Sequence, residues 1–261
     1  MTQAWARRYA IVGAVLAAVL MTDGARAATE FARAEFRAPY VAGEAITPNF
    51  WGPLRLASDA YTQTYNDRDR TVQYFDKGRM EYQSGRGVTF GLLATEMVTG
   101  RIQLGDNEFL DQAPSRTPVA GDENGEGVRY VDLFNASGTA WAATTRRTGE
   151  ELGWFFANGR FVSDRSGGLN LRVVQLTDYD SVTRHNVIQV FRAYRDAVGF
   201  STIGYAISEP FASYFTVGGV QTPIIVQVFE RRVLTYTPDN PPNFQVEMGN
   251  IGRHYFPWRN S

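Results

Sequence analysis

Val226-Gln227-Val228-Phe229-Glu230-Arg231-Arg232-Val233-Leu234-Thr235-Tyr236 occurs twice in this chain, the earlier copy reading Val72-Gln73-Tyr74-Phe75-Asp76-Lys77-Gly78-Arg79-Met80-Glu81-Tyr82. Val, Gln, Phe and Tyr are identical in register, and Asp/Glu, Lys/Arg and Met/Leu replace like with like. The likeness extends outward. Trp51-Gly52-Pro53-Leu54 lies about where Ile203-Gly204-Tyr205-Ala206 precedes the second copy, and Val88-Thr89-Phe90-Gly91 answers Val246-Glu247-Met248-Gly249. Each copy reads as a β-hairpin. In the first, Asp76-Lys77-Gly78 offers a reversal with a glycine free to take positive φ. One hairpin-bearing unit is therefore expected near each end, with different material between.

Outward from the first hairpin, residues 28–50 show no long period, and Phe31, Phe36, Tyr40 and Val41 are expected to pack as an extended arm. Asn66, Asp67 and Asp69 make a polar loop. Leu92, Leu93 and Met97 suggest a short helix over 89–98, closed by Gly100 and leaving Glu96 solvated. Between about 114 and 179, short β-prone runs (127–134, 139–144, 151–157, 160–163 and 169–176) alternate with Gly, Asn, Ser and Asp clusters, and Asn158-Gly159 is a hairpin signal. Val187, Val190, Phe191 and Tyr194 form one apolar face of a helix over 186–196, with Ser181 or Thr183 as its cap and Gly199 as its end. The aromatic terminus around Tyr255 and Trp258 is expected to be packed. The fold expected is mainly β, α+β at most. A first unit (28–112) and a helix plus second unit (183–261) flank an inserted β-sheet or sandwich domain (113–182), with a few short helices.

Arg7 and Arg8, an apolar run over 9–21 and Ala25-Arg26-Ala27 match a secretory signal over 1–27, cleaved before Ala28. That run is shorter than the roughly 20 residues of a spanning helix, and a product at the cell surface or outside it is expected. With no cysteine among 261 residues, disulfides, thiolate metal sites and cysteine nucleophiles are excluded. A net charge of −1 gives no electrostatic case for nucleic acid. Lys77 is the sole lysine.

Gly-x-x-Ile-Ser-Glu-Pro from Gly204, the Gly218-Gly219 loop, Gln227-x-Phe229-Glu230 with Tyr236-x-Pro238, and Val246-x-x-Gly249-x-x-Gly252 resemble the LGFP-type repeat of bacterial envelope proteins. The likeness covers the two end units. Over more of its length, the chain is similar to an uncharacterised family of exported bacterial proteins, on the first hairpin, Gly91-Leu92-Leu93, Val119-Ala120-Gly121-Asp122, His185-Asn186-Val187 and 229–258. The first resemblance implies association with cell-wall or surface polysaccharide without catalysis. Arg232 stands where the first unit has Gly78, and the first unit has Leu56-Ala57-Ser58-Asp59 in place of Ser-Glu-Pro.

Neither His185 nor His254 sits in an HExxH pattern or beside a serine elbow. No catalytic, metal or cofactor residue is assigned. A glycosidase needs two carboxylates across a cleft, so Asp76, Glu81, Glu230 and Glu247 keep a secreted glycan hydrolase as the alternative. A surface structural or protein-interaction module is the third reading. Asp122-Glu123-Asn124-Gly125-Glu126 opens like a calcium loop but lacks its spacing. The ligand-binding candidates are Trp51, Tyr74, Tyr82 and Tyr236 as stacking rings, and Arg79, Arg231 and Asn240 as hydrogen-bonding partners for hydroxyls. The expected partner is cell-wall or extracellular polysaccharide, or a surface protein.

Overall fold

The computed structural model describes residues 31–52, 60–65, 68–105, 107–135, 142–157, 159–163 and 174–261. The signal read over 1–27, the Asn66-Asp67 loop, Leu56–Asp59 and Asn158 lie outside them.

The first unit opens with a 3-10 turn (Ala34–Phe36) that runs into helix α1 (Arg37–Ile46). The extended arm expected here is thus a helix. Pro39 is compatible because it falls in the first turn, where an N–H has no intrahelical acceptor. Phe36 is fully buried, and Phe31 and Tyr40 pack on Phe75, so the expected contact with the hairpin exists in a different backbone form. Strands β1 (Ala60–Tyr65), β2 (Arg68–Phe75), β3 (Gly78–Gln83) and β4 (Gly87–Phe90) form a four-stranded antiparallel meander in sequence order. Helix α2 (Leu93–Thr99) follows, and its Gly100 takes the left-handed conformation with its N–H on the Glu96 carbonyl. Thr89 and Phe90, read as helical, belong to the sheet because they pair with Glu81 and Met80.

The connecting segment carries β5 (Arg101–Gln103), β6 (Phe109–Asp111), helix α3 (Tyr130–Asn135), β7 (Phe155–Ala157), β8 (Arg160–Val162), β9 (Leu176–Asp180) and β10 (His185–Ile188). The run read as strand over 127–134 turns helical at Tyr130. The Asp132 carboxylate accepts the Arg129 N–H there and closes the first turn. β7 and β8 form the hairpin expected at Asn158-Gly159, with Ala157 opposite Arg160. Their sheet belongs to the second unit: Phe155 pairs in parallel with Ala212, extending it to the order β14-β13-β12-β11-β7-β8. Among the described residues, β9 and β10 pair as strands with each other alone.

The second unit comprises α4 (Gln189–Val198), α5 (Phe200–Ile203), β11 (Phe211–Val217), β12 (Val220–Val228), β13 (Val233–Tyr236), β14 (Val246–Met248) and α6 (Ile251–Arg259). α4 begins later than expected and carries no side-chain cap, because 185–188 are held in the β9–β10 pair. The same contacts then recur at corresponding positions of the two units. Lys77 N–H bonds to Trp51 O and Arg231 N–H to Ile203 O; Gly91 N–H bonds to Arg79 O and Gly249 N–H to Val233 O. The helices exchange partners: Thr95 N–H donates to Glu230 O, and Arg253 N–H donates to Asp76 O, both at 3.2 Å. Each helix start therefore caps the hairpin turn of the other unit.

Both hydrophobic clusters draw on both units. Tyr74, Val226, Val228 and Val233 enter one; Phe75, Ile225, Phe229 and Leu234 enter the other. Alternate strand residues point to opposite faces, so the unbroken apolar run Ile224–Val226 is that of a sheet covered on both sides. The sequence-identical Gln73 and Gln227 are buried and tie each unit to its lead-in segment. Gln73 accepts the Ala32 N–H at 2.9 Å, and Gln227 donates to Asn186 O at 2.7 Å.

Gly78 does not take positive φ, contrary to the turn role expected of it. It lies against the Arg232 side chain, whose guanidinium atoms would be 2.4–2.6 Å from a Cβ at that position. Positions 78 and 232 correspond, and they meet across the two units. One arginine fits there only opposite a residue with no side chain, which explains the departure of Arg232 from the repeated pattern.

Candidate functional site

Of the rings expected to stack on a ligand, Trp51 and Tyr74 are buried to 1% exposure. Trp51 packs against Phe50, Phe75 and Phe90 and donates its indole N–H to Pro39 O at 3.1 Å. Tyr74 stacks on Tyr255. Tyr82 and Tyr236 are partly exposed, but the Arg33 guanidinium already lies 4.3 Å from the Tyr82 ring centre. Arg231 is paired with Glu230 and donates to Phe90 O. Of the seven, Asn240 lines a hollow of about 400 Å³ and Arg79 a small one of about 140 Å³. Val72, Gln73 and Phe75 and their counterparts Val226, Gln227 and Phe229 are all buried, so core packing accounts for these shared positions, while Tyr82 and Tyr236 keep part of their surface exposed.

Arg79 is likewise buried, at 2% exposure. It bonds Glu81 at 2.7 Å, Glu96 at 3.0 Å and the Tyr255 hydroxyl at 3.1 Å, and Arg70 bonds the other oxygen of Glu81 at 2.7 Å. Tyr255 donates to the second oxygen of Glu96. Glu96, expected on a solvated face, is enclosed at 2% exposure, with Arg79 of β3 and Tyr255 of α6 on its carboxylate. Burial pushes the Glu96 carboxyl up, while Arg79 and the Tyr255 hydroxyl oppose that rise. Burial alone would lower Arg79, but Glu81 and Glu96 hold it well above its ordinary value. Two carboxylates locked on one guanidinium in this way form a structural clamp between strand β3 and helices α2 and α6.

Asp122 and the two histidines belong to the framework. The Asp122 carboxylate accepts the N–H groups of Gly218 and Gly219, both at 3.0 Å, fixing the β11–β12 turn. Among the described residues no group of three or more His, Asp or Glu could hold a metal ion. His185 Nδ1 lies 3.5 Å from Glu209, whose carboxylate also accepts from Asn186 and Thr144. His254 is enclosed beside Tyr130.

A different place is open. Two adjoining hollows of about 950 and 400 Å³ share Lys77, Glu247 and Met248 as a common wall. The larger is bounded by the end of α1 at Ile46–Asn49, by Val190 and Tyr194 of α4, and by the 242–248 segment. Phe244 at its rim is 59% exposed, and Gln245 contributes an amide. The smaller hollow adds Thr235, Thr237, Asn240 and Asn250.

The polar groups of this wall are short of partners. Among the described residues, neither the Lys77 ammonium, the Glu247 carboxylate nor the Tyr194 hydroxyl makes a hydrogen bond or ion pair, and Arg232 has Nε and Nη2 unsatisfied although fully buried. Burial lowers the Lys77 amine from its ordinary value, and Glu247, Glu44 and Asp76 oppose it. Burial pushes the Tyr194 phenol up to about 12, with Arg232 opposing and Glu247 adding. The Arg232 guanidinium, 4.9 Å from the Trp51 ring centre, is pushed down to about 9 by burial and keeps its charge at neutral pH. A fully buried cation with no carboxylate partner costs stability.

Sequence reasoning missed Lys77 and Tyr194 as wall residues. It assigned the first to a turn and the second to the apolar face of a helix, and each does occupy that place. What brings them together is the packing of α4 against α1 of the first unit and against β14. The signal present in the sequence was the single lysine. Comparison of the chain with protein-family models, with curated proteins and with solved structures finds no match.

Proposed function

We propose that this protein is an exported, non-catalytic envelope or extracellular module that binds cell-wall or surface glycan, and that the paired hollows around Lys77 and Glu247 are its binding site. One observation carries the reading: two adjoining hollows walled by the rings of Tyr194 and Phe244 together with amides and hydroxyls at Asn240, Gln245, Thr235 and Thr237. Saccharides present apolar ring faces and a belt of hydroxyls, and sites for them combine aromatic surface with a few placed polar groups. The signal-like head and the resemblance of the end units to LGFP-type repeats support an envelope setting. The recurrence of the same hydrogen bonds in the two units supports their origin as copies of one repeat.

The test is co-sedimentation of the purified protein with isolated cell walls and insoluble polysaccharides, with the supernatant assayed for released sugar. Retention without release, weakened by Phe244→Ala and Asn240→Ala, is expected. Release of sugar would replace the reading with a hydrolase, and neither retention nor release would point to a protein partner.

A further inference from the structure

We propose that the free edge of β14 binds an extended peptide, which adds to the six-stranded sheet as a further strand along the larger hollow. The proposal stands on backbone groups that the saccharide reading does not use, and so goes beyond that reading.

β14 is the last strand of its sheet. At its two ends, Gln245 O accepts the Thr237 N–H, and Gly249 N–H donates to Val233 O. Bonded and non-bonded pairs alternate along an antiparallel ladder, so Glu247 directs its N–H and C=O to Thr235, its partner in register. The N–H and C=O of Val246 and Met248 therefore point away from β13. None of these four groups has a partner among the described residues, although Met248 is only 5% exposed. Enclosed backbone groups are almost always paired. Val246, Glu247 and Met248 all line the larger hollow.

The first unit holds the corresponding contact closed. There Phe90 answers Met248 and Arg231 answers Lys77, and Arg231 Nε donates to Phe90 O at 3.3 Å. The Lys77 ammonium makes no such bond among the described residues. The second copy of this contact is open.

A row of free backbone donors and acceptors is matched by another backbone. The hollow beside it is walled by the end of α1 and by Val190, Ala193 and Tyr194 of α4. A single extended strand enters such a place, and the edge of a second folded copy does not. Pairing β14 with its own copy about Glu247 would also set two carboxylates opposite each other. At sheet spacings one strand residue occupies about 160 Å³, so the hollow of about 950 Å³ holds a peptide of about six residues. Lys77, on the wall shared with Met248, donates to a carbonyl of the added strand as Arg231 does to Phe90 O.

A display library of random hexapeptides, panned against the full chain, supplies the probe. The tightest binder is synthesised plain and in two N-methylated forms, one blocked at odd positions and one at even positions. Successive strand residues turn their N–H groups to opposite sides. One methylated form should therefore lose at least about tenfold in affinity, as expected for the loss of two or more hydrogen bonds, while the other loses little. In the chain labelled with [15N]methionine, with the Met248 resonance identified through Met248→Leu, the plain peptide should slow exchange of the Met248 amide proton with solvent. Equal effects of the two methylation patterns overturn the proposal. So does a binder that leaves Met248 exchange unchanged, and so does the absence of any binder. None of these outcomes alters the cell-wall assay, which decides the saccharide reading separately.

Discussion

Acidification should unfold this protein through His254 well before its carboxylates alone would do so. The imidazole is 3% exposed, with Nδ1 3.4 Å from the Tyr130 hydroxyl. Burial lowers its pKa from 6.5 to about 4; Arg253 acts in the same direction, and Glu123, itself bonded to Arg253 at 3.0 Å, opposes. The unfolded chain therefore takes up a proton at a higher pH than the native one. The stability concerned is present above about pH 6.5 and is lost as pH falls towards about 4. The gap is worth about 3 kcal/mol in full, and about 2 kcal/mol of it is gone by about pH 5. Against a typical total of about 5–15 kcal/mol this is a large fraction. Urea unfolding followed by tryptophan fluorescence between about pH 7 and pH 4, on the parent protein and on His254→Gln, isolates the effect. All other ionisable groups are common to both proteins, so only the difference reports His254. The variant should be less stable near neutrality and should lose much less on acidification. Parallel loss in the two proteins, or a folded-state titration of His254 near 6.5 by NMR, would refute the reasoning.

Gly78→Ala should destabilise by about 1–3 kcal/mol, as overpacking does, because its Cβ would lie 2.4 Å from Arg232 Nη2. Arg232→Ala in the same chain should recover much of that loss, and additive chemical-denaturation energies for the pair would contradict the contact. Arg79→Met should cost about 3–5 kcal/mol by leaving Glu81 and Glu96 buried without their shared cation, measured as a fall in urea midpoint; a loss below about 1 kcal/mol, the level of an exposed pair, would show the clamp to be solvated. The Lys77 amine, read by 13C NMR after labelled reductive methylation, should titrate below that of a similarly methylated exposed lysine, since burial outweighs its acidic neighbours; titration at or above the reference would show the wall to be hydrated.

The two hairpins were legible because short β-prone runs, the turn between them and the repeated Val-x-x-Phe spacing are local properties of the sequence. Gly100 as a helix end and Gly159 as a hairpin turn were readable for the same reason, since both take left-handed backbone. Helix α1 was not, because its burial rests on Phe36 and Gly43 meeting Phe50, Trp51 and Phe75 from elsewhere in the chain. Glu96 lies three residues after Leu93, on the apolar side of its helix; its charge suggested solvent, and the partners that let it be buried, Arg79 and Tyr255, come from other elements.

The candidate site was less legible than the fold. The repeated aromatics drew attention by their identity, yet identity at corresponding positions reflected the shared demand of two hairpins for a core. The sequence by itself determined the β-rich class, the two related ends, the absence of thiol chemistry and the singular status of Lys77. Tertiary structure alone decided that the helix of each unit caps the turn of the other, that Gly78 makes room for Arg232, and that Lys77, Tyr194 and Glu247 share one wall. These arrangements join residues far apart in the chain, and such distances are closed by packing, which no local pattern records.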